Sequence, residues 1–200
     1  MKAIIFDFGG VLMRWDPQRI FQRYFPEGPA AIQAFLDEIG FMEWNKLQDG
    51  GRSFAEGIAA HSARFPQYAQ ILAGYDKYWS NSVVGPIDGT VAILRRLKAA
   101  GYPLYGLTNY SAEKCRQDIR PFDHFALFDD IVISGEVGVC KPDPAIYRLL
   151  LNRIGRRPEE CIFIDDMPAN VAGAEALGIT GLRFHSPEQL EADLRGLGIL

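Results

Sequence analysis

The sequence predicts a doubly wound α/β fold: a parallel sheet with helices on both faces, interrupted once by a helical insertion. Two observations carry this reading. Short apolar runs alternate with helical patterns along most of the chain, as right-handed strand–helix–strand units require. Residues 15–85 contain no convincing strand, yet their apolar residues recur at helical spacing over a stretch too long for a loop. The composition agrees, with 200 residues of which 48% are hydrophobic and 23% charged, as in an ordinary globular chain.

The elements follow in order. Buried strands are expected at Ala3–Phe8, Pro103–Leu107, Ile131–Ile133, Cys161–Ile164 and Gly181–Phe184, each an apolar run bounded by turn or charged residues. Between them, Asp88 is the expected N-cap of a helix carrying Val91, Leu94 and Leu97 and stopped by Gly101. Asp143-Pro144 opens a second helix that ends at Gly155, and a third runs from Pro168 to Leu177. Ser186-Pro187-Glu188-Gln189 has the form of a capping box. Within the insertion, Ile20, Phe21 and Tyr24, then Ile32, Phe35 and Leu36, then Ile71, Leu72 and Tyr75 mark helices, with hinges at Arg14–Pro17 and Val84–Pro86. The domain division is therefore a discontinuous α/β core of residues 1–14 and 86–200 and a helical unit of residues 15–85.

Charge and cysteine usage narrow the function. The 21 Lys and Arg against 25 Asp and Glu leave a formal charge of −4, and no basic stripe is present to follow a phosphate backbone, so nucleic acid is not an expected partner. No apolar stretch approaches the roughly 18 residues of a membrane span. The apolar run at the amino terminus is broken by Asp7 before a signal-peptide core forms. Cys115, Cys140 and Cys161 are odd in number and far apart, as reduced thiols in a cytoplasmic protein are. The scattered His61, His124 and His185 suggest no zinc site.

In an open parallel sheet, ligands bind beyond the carboxyl ends of the strands, and here those ends are polar. Asp7 closes the first strand, Thr108-Asn109 the second and Asp165-Asp166 the fourth, while Lys141 follows the third after a short loop. Singly, each has an ordinary reading: Asp7 as a turn residue, Asp166 as a helix cap before Met167-Pro168, Lys141 as a solvated lysine. Together they place three carboxylates, one ammonium and a Thr-Asn pair at one crevice. That set favours a divalent cation on oxygen ligands beside an anionic ligand.

The segments Phe6-Asp7-Phe8-Gly9-Gly10-Val11-Leu12, Leu107-Thr108-Asn109, Gly138-Val139-Cys140-Lys141-Pro142-Asp143-Pro144 and Ile164-Asp165-Asp166-Met167-Pro168-Ala169-Asn170 resemble, in order, the four motifs of the haloacid dehalogenase (HAD) superfamily. The resemblance implies a Rossmann-like core with the insertion as its helical cap. Within the superfamily the chain is most similar to bacterial sugar-phosphate phosphatases of the glucose 1-phosphate type. It also implies roles: Asp7 as the nucleophile forming an aspartyl-phosphate; Asp7, Asp165, Asp166 and the Gly9 carbonyl as Mg2+ ligands; Thr108, Asn109 and Lys141 on the phosphoryl oxygens. Lys141 would also orient Asp7, and Asn170 would support the metal loop. Arg14, Trp15 and Asn45 are the candidates for reading the leaving group of a small phosphorylated metabolite. The sequence does not specify an oligomeric state.

One position departs from the pattern. Most phosphatases of the superfamily carry a second Asp two residues after the nucleophile as general acid and base, and this chain has Gly9 there. A positioned acid is worth about 10²–10⁴ in rate, so an acidic leaving group, as in an anomeric or acyl phosphate, suffers least from its loss. Two rival readings share the fold. A 2-haloacid dehalogenase would use Asp7 on carbon, with Arg14 on a substrate carboxylate, but has no need of the Asp165-Asp166 pair. A non-catalytic phospho-ligand-binding protein would keep the pocket without turnover.

Overall fold

A computed structural model describes all residues, 1–200. Five strands form one parallel sheet: β1 (Ala3–Phe6), β4 (Leu104–Thr108), β5 (Asp130–Ile133), β6 (Cys161–Asp165) and β7 (Thr180–Arg183), in the order β5-β4-β1-β6-β7. The expected doubly wound sheet is therefore present, with each strand within two residues of its predicted bounds. The remaining strands, β2 (Met13–Trp15) and β3 (Val83–Pro86), form a separate antiparallel pair in which Arg14 faces Gly85. The two expected hinges, Arg14–Pro17 and Val84–Pro86, thus overlap the two strands of one ribbon. The chain leaves the core and returns to it through one hydrogen-bonded ribbon.

Both faces of the sheet are buried, which is why its strands read as continuous apolar runs. On one face Ile4, Phe6, Ile162 and Ile164 pack against α7 (Asp88–Ala99), through Ile93, Leu94 and Leu97, and α12 (Pro187–Gly196), through Leu190 and Leu194. On the other, Ala3, Ile5, Cys161 and Phe163 meet Ile146, Tyr147, Leu150 and Leu151 of α10 (Pro144–Ile154) and Ala174 of α11 (Pro168–Glu175). Two shorter helices, α8 (Cys115–Ile119) and α9 (Ser134–Val137), follow β4 and β5.

Local signals act much as their chemistry dictates. The Asp143 side chain accepts the Ala145 N–H with Pro144 at the first helical position, and Gly155 ends α10 in the left-handed conformation. Ser186 caps α12 through the Gln189 N–H, but Gln189 reaches back to the His185 N–H instead of completing a box. Asp88 is a correction: the cap position belongs to Ile87, and Asp88 is the first helical residue with no capping bond.

The insertion is α1 (Gln18–Phe21), α2 (Pro29–Ile39), α3 (Phe41–Asp49), α4 (Phe54–Arg64), α5 (Ala69–Leu72) and α6 (Gly74–Lys77), with short 3₁₀ turns between them. It has its own aromatic core, in which Phe21, Phe35, Phe41, Trp44, Phe54, Tyr75 and Trp79 are buried. Trp15, partly buried, packs against this core. The capping box of α4, Ser53 with Glu56, is complete, with both reciprocal hydrogen bonds made.

Candidate active site

The site lies at the carboxyl ends of the three central strands, β4, β1 and β6. Asp7 extends β1 by one residue, its N–H donating to the Ile164 carbonyl at 2.9 Å. Asp165 is the last residue of β6 and fully buried, and Asp166 follows it. Oxygens of Asp7, Asp165 and Asp166 all lie within 4.8 Å of one another. The approach of Asp166 depends on a glycine: Gly10 has φ +77°, and a Cβ there would sit 2.5 Å from Asp166 Oδ2.

Lys141 joins this group from the loop between α9 and α10. Its side chain has no exposure, and its Nζ lies 2.9 Å from Asp7 Oδ1, 2.7 Å from Asp165 Oδ2 and 2.8 Å from the Leu107 carbonyl. It is therefore not a solvated lysine. Its three N–H donors thus face Asp7, Asp165 and the Leu107 carbonyl. Burial alone would lower the Lys141 pKa; the charges of Asp7 and Asp165 more than offset this, and the ammonium is held charged. The Asp7 carboxyl is pushed up to about 7, first by burial and then by the charge of Asp165, against the pull of Lys141. Asp166 is raised too, by its partial burial and by Asp165.

The remaining expected residues divide. Thr108, buried at the end of β4, and Asn170 are at the site. Asn170 Nδ2 donates to both Asp165 oxygens, at 3.0 and 3.1 Å, and the Met167 N–H donates to Asp165 Oδ1 at 2.8 Å, so the loop after β6 is tied to that carboxylate. This also settles the alternative for Asp166, because Met167 holds the cap position of α11 without a side-chain bond. The Asn109 carboxamide faces the lysine instead of the opening of the site: its Nδ2 donates to the Lys141 carbonyl at 2.9 Å and its Oδ1 accepts the Lys141 N–H at 2.8 Å. It grips the main chain of the lysine. Asn45 is likewise committed, accepting the Tyr75 hydroxyl at 2.6 Å and donating to Asp49 at 2.9 Å. Trp15 lies against Phe41 and Trp79, at ring distances of 6.4 and 6.5 Å. Of the three expected readers, Arg14 alone is exposed.

Sequence reasoning passed over Asp49. It ends α3, where its carbonyl accepts from Ser134 Oγ at 2.6 Å and its carboxyl faces the Ser111 amide. Burial pushes that carboxyl up to about 7, the Ser111 amide opposing. The folded state therefore holds a proton that the unfolded chain releases near pH 4, and this contribution to stability is lost as pH rises from about 4 to about 7. Thermal melts should show it: the wild-type Tm should fall over that range relative to Asp49→Asn, and parallel curves would refute the assignment.

The geometry offers an all-oxygen site on three carboxylates against a single ammonium, with two of the three acids held above their ordinary range. That excess of buried negative charge fits a hard divalent cation. The model of the haloacid dehalogenase-like hydrolases matches residues 1–178. The chain belongs to this family. Among curated relatives, this HAD-like hydrolase is 29% identical over 98% of its length to acyl-CoA dehydrogenase family member 10 of Mus musculus, of which it spans only 19%. It is 28% identical to the sesquiterpene phosphatase astK of Aspergillus oryzae, matching 92% of its own length and 89% of that protein. Among solved structures, a HAD family enzyme of Bacteroides thetaiotaomicron in its magnesium complex superposes with a TM-score of 0.71, at 22% identity and 98% coverage of both chains. That likeness shows the HAD fold. No helix of this hydrolase is long and apolar enough to cross a membrane.

Proposed function

We propose that this hydrolase is a Mg2+-dependent phosphatase acting on a small phosphorylated metabolite, with a sugar phosphate as the expected class, through an aspartyl-phosphate on Asp7. The observation that carries the reading is the convergence of Asp7, Asp165 and Asp166 within 4.8 Å around the buried Lys141. A carbon-attacking nucleophile has no use for the two further carboxylates, whereas a phosphoryl group needs its charge offset before an anion can approach it. The similarity to a named phosphatase over most of both chains supports the same choice.

Asp7, Asp165, Asp166 and the Gly9 carbonyl are the residues that would hold the ion, which when bound supplies charge neutralisation and a fixed orientation for the phosphoryl group. Asp7 Oδ1 accepts from both Lys141 Nζ and the Phe8 N–H, at 2.9 and 2.7 Å, which leaves Oδ2 without a protein partner. Oδ2 is the atom we assign to attack on phosphorus, breaking the bond to the leaving oxygen, which takes a proton from water. A second water then attacks phosphorus and releases Asp7 and inorganic phosphate. The Thr108 hydroxyl and the Asn109 main chain are assigned to the phosphoryl oxygens. The helical insertion serves as the cap: α3 brings Gly51 so close to the core that a Cβ on it would lie 3.2 Å from the Gly135 carbonyl. Arg14, exposed on the ribbon, is the remaining candidate for reading the leaving group.

The test is phosphate release from p-nitrophenyl phosphate with and without Mg2+, together with chloride release from 2-chloropropionate in EDTA. Turnover of the first that requires the metal is expected. Chloride release without phosphatase activity would establish the dehalogenase, and binding of a phosphosugar with no turnover at saturating Mg2+ would establish a binding protein.

The vacant acid position has its own prediction. Gly9 is outside the left-handed region, and a Cβ there meets nothing within 4 Å, so a side chain fits. Gly9→Asp should raise kcat on simple alkyl phosphates about 10²-fold and leave acidic leaving groups nearly unchanged, because only the former need a proton in the transition state. An equal effect on both, read from kcat across a leaving-group series, would contradict the reading.

A further inference from the structure

The core segment after β4 is where the insertion docks, and one buried carboxylate organises the contact. Asp118, on α8 and 7% exposed, accepts three hydrogen bonds from neutral donors: Trp79 Nε1 at 2.7 Å, Ser80 Oγ at 2.8 Å and the Tyr110 hydroxyl at 2.8 Å. Trp79 and Ser80 belong to the last turn of the insertion, while Tyr110 follows Asn109 directly. The Trp79 and Tyr110 rings also meet edge to face, 5.9 Å apart. Around this joint, Glu113 accepts the Phe54 N–H at 3.3 Å and Lys114 pairs with Asp76, both across the same boundary. Tyr110 is fixed at its main chain as well, its N–H donating to Ser134 Oγ at 2.9 Å.

We propose that Asp118 is a positioning residue: it couples the seating of the helical insertion, through Tyr110, to the grip of Asn109 on Lys141. A carboxylate satisfied by neutral donors from two structural units holds them only while both are in place, since loss of either side leaves a buried charge short of partners. The next link is covalent, from Tyr110 to Asn109. The link after it is the pair of hydrogen bonds between the Asn109 carboxamide and the Lys141 main chain. Lys141 in turn fixes Asp7 Oδ1. A displaced insertion therefore loosens the nucleophile, and the site is fully ordered only when the insertion is down. The kinetic side of this inference rests on the phosphatase reading; the mechanical side does not.

Tyr110→Phe removes the hydroxyl and keeps the ring; Trp79→Phe removes the indole donor from the insertion side. For both, amide hydrogen exchange at Lys141, whose N–H the Asn109 side chain accepts, should be about tenfold faster than in the wild type. The kcat for p-nitrophenyl phosphate should fall about 5- to 20-fold, with KM changed less than about twofold, the size of effect that follows from weakening one hydrogen bond to a charged group. The double variant should be little worse than either single one, because both cut the same chain. Wild-type exchange at Lys141 in Tyr110→Phe overturns the proposal, whatever happens to Tm. Faster exchange with an unchanged kcat overturns the positioning role. If the wild-type protein turns over no phosphate ester, the phosphatase reading fails by itself, and the exchange measurement still decides the coupling.

Discussion

Asp7→Asn should abolish turnover while leaving the protein as stable as before, or more so. The two halves of this expectation have different causes. The amide cannot attack phosphorus or carry its negative charge toward a cation, so kcat should fall by at least about 10⁴-fold, as when a covalent nucleophile is removed. Stability moves the other way because the native carboxyl is costly: burial and the Asp165 charge push it up to about 7. A neutral side chain of the same shape avoids that desolvation and repulsion, and still accepts from the Phe8 N–H and from Lys141 through its oxygen. Single-turnover assays and thermal melts on one preparation check both halves. Retained activity would remove Asp7 from its assigned role, and a large drop in Tm would show that lost activity came from misfolding.

Lys141→Met is expected to give the largest loss of stability of any single change at the site. The methionine fills similar volume, so packing is little disturbed, but Asp7 and Asp165 lose their only cation. Breaking a buried ion pair from one side costs about 3–5 kcal/mol, because the remaining charge stays desolvated. Mg2+ should recover part of that loss if the carboxylates hold it, since a ligand that binds only the folded state stabilises it by mass action. Denaturation midpoints with and without Mg2+ provide the check. A variant no less stable than the wild type, or one with no more response to Mg2+ than Asp165→Asn, would contradict the charge balance described for the site.

Much of the sheet and its outline of polar strand ends was legible because their signals are local. A buried parallel strand is an apolar run, and a carboxylate that ends one is visible at a glance: Asp7, Asp165 and Asp166 needed no partner to be noticed. What was hidden depends on distance in three dimensions. The spacing of Asn109 and Lys141, 32 residues apart, does not show that the carboxamide of one closes on the main chain of the other. Asp118 reads as one more charged residue on a helix, and its importance comes from Trp79 and Ser80, nearly 40 positions earlier. Asn45 is a visible polar residue, but its amide is spent within the insertion on Tyr75 and Asp49. The pairing of the ribbon is not legible, because three- and four-residue strands are too short for periodicity to distinguish them from loops.

That ribbon has a consequence for how the protein folds and for how it can change. Since Arg14 and Gly85 are paired, the ends of the insertion are fixed side by side, and the core experiences it as a closed loop. The entropy of closing a loop grows only with the logarithm of its length, about 0.6 kcal/mol for each doubling. The core therefore carries nearly the same penalty whether the intervening chain is half as long or twice as long. The three carboxylates, by contrast, come from residues 7, 165 and 166 and assemble only when β1 and β6, nearly the whole chain apart, have paired. A change in the length of the loop alters the entropic cost of that pairing only slightly. A chain built this way can tolerate an insertion of another length at little cost to its sheet, provided the joint of Trp79 and Ser80 with Asp118 is kept.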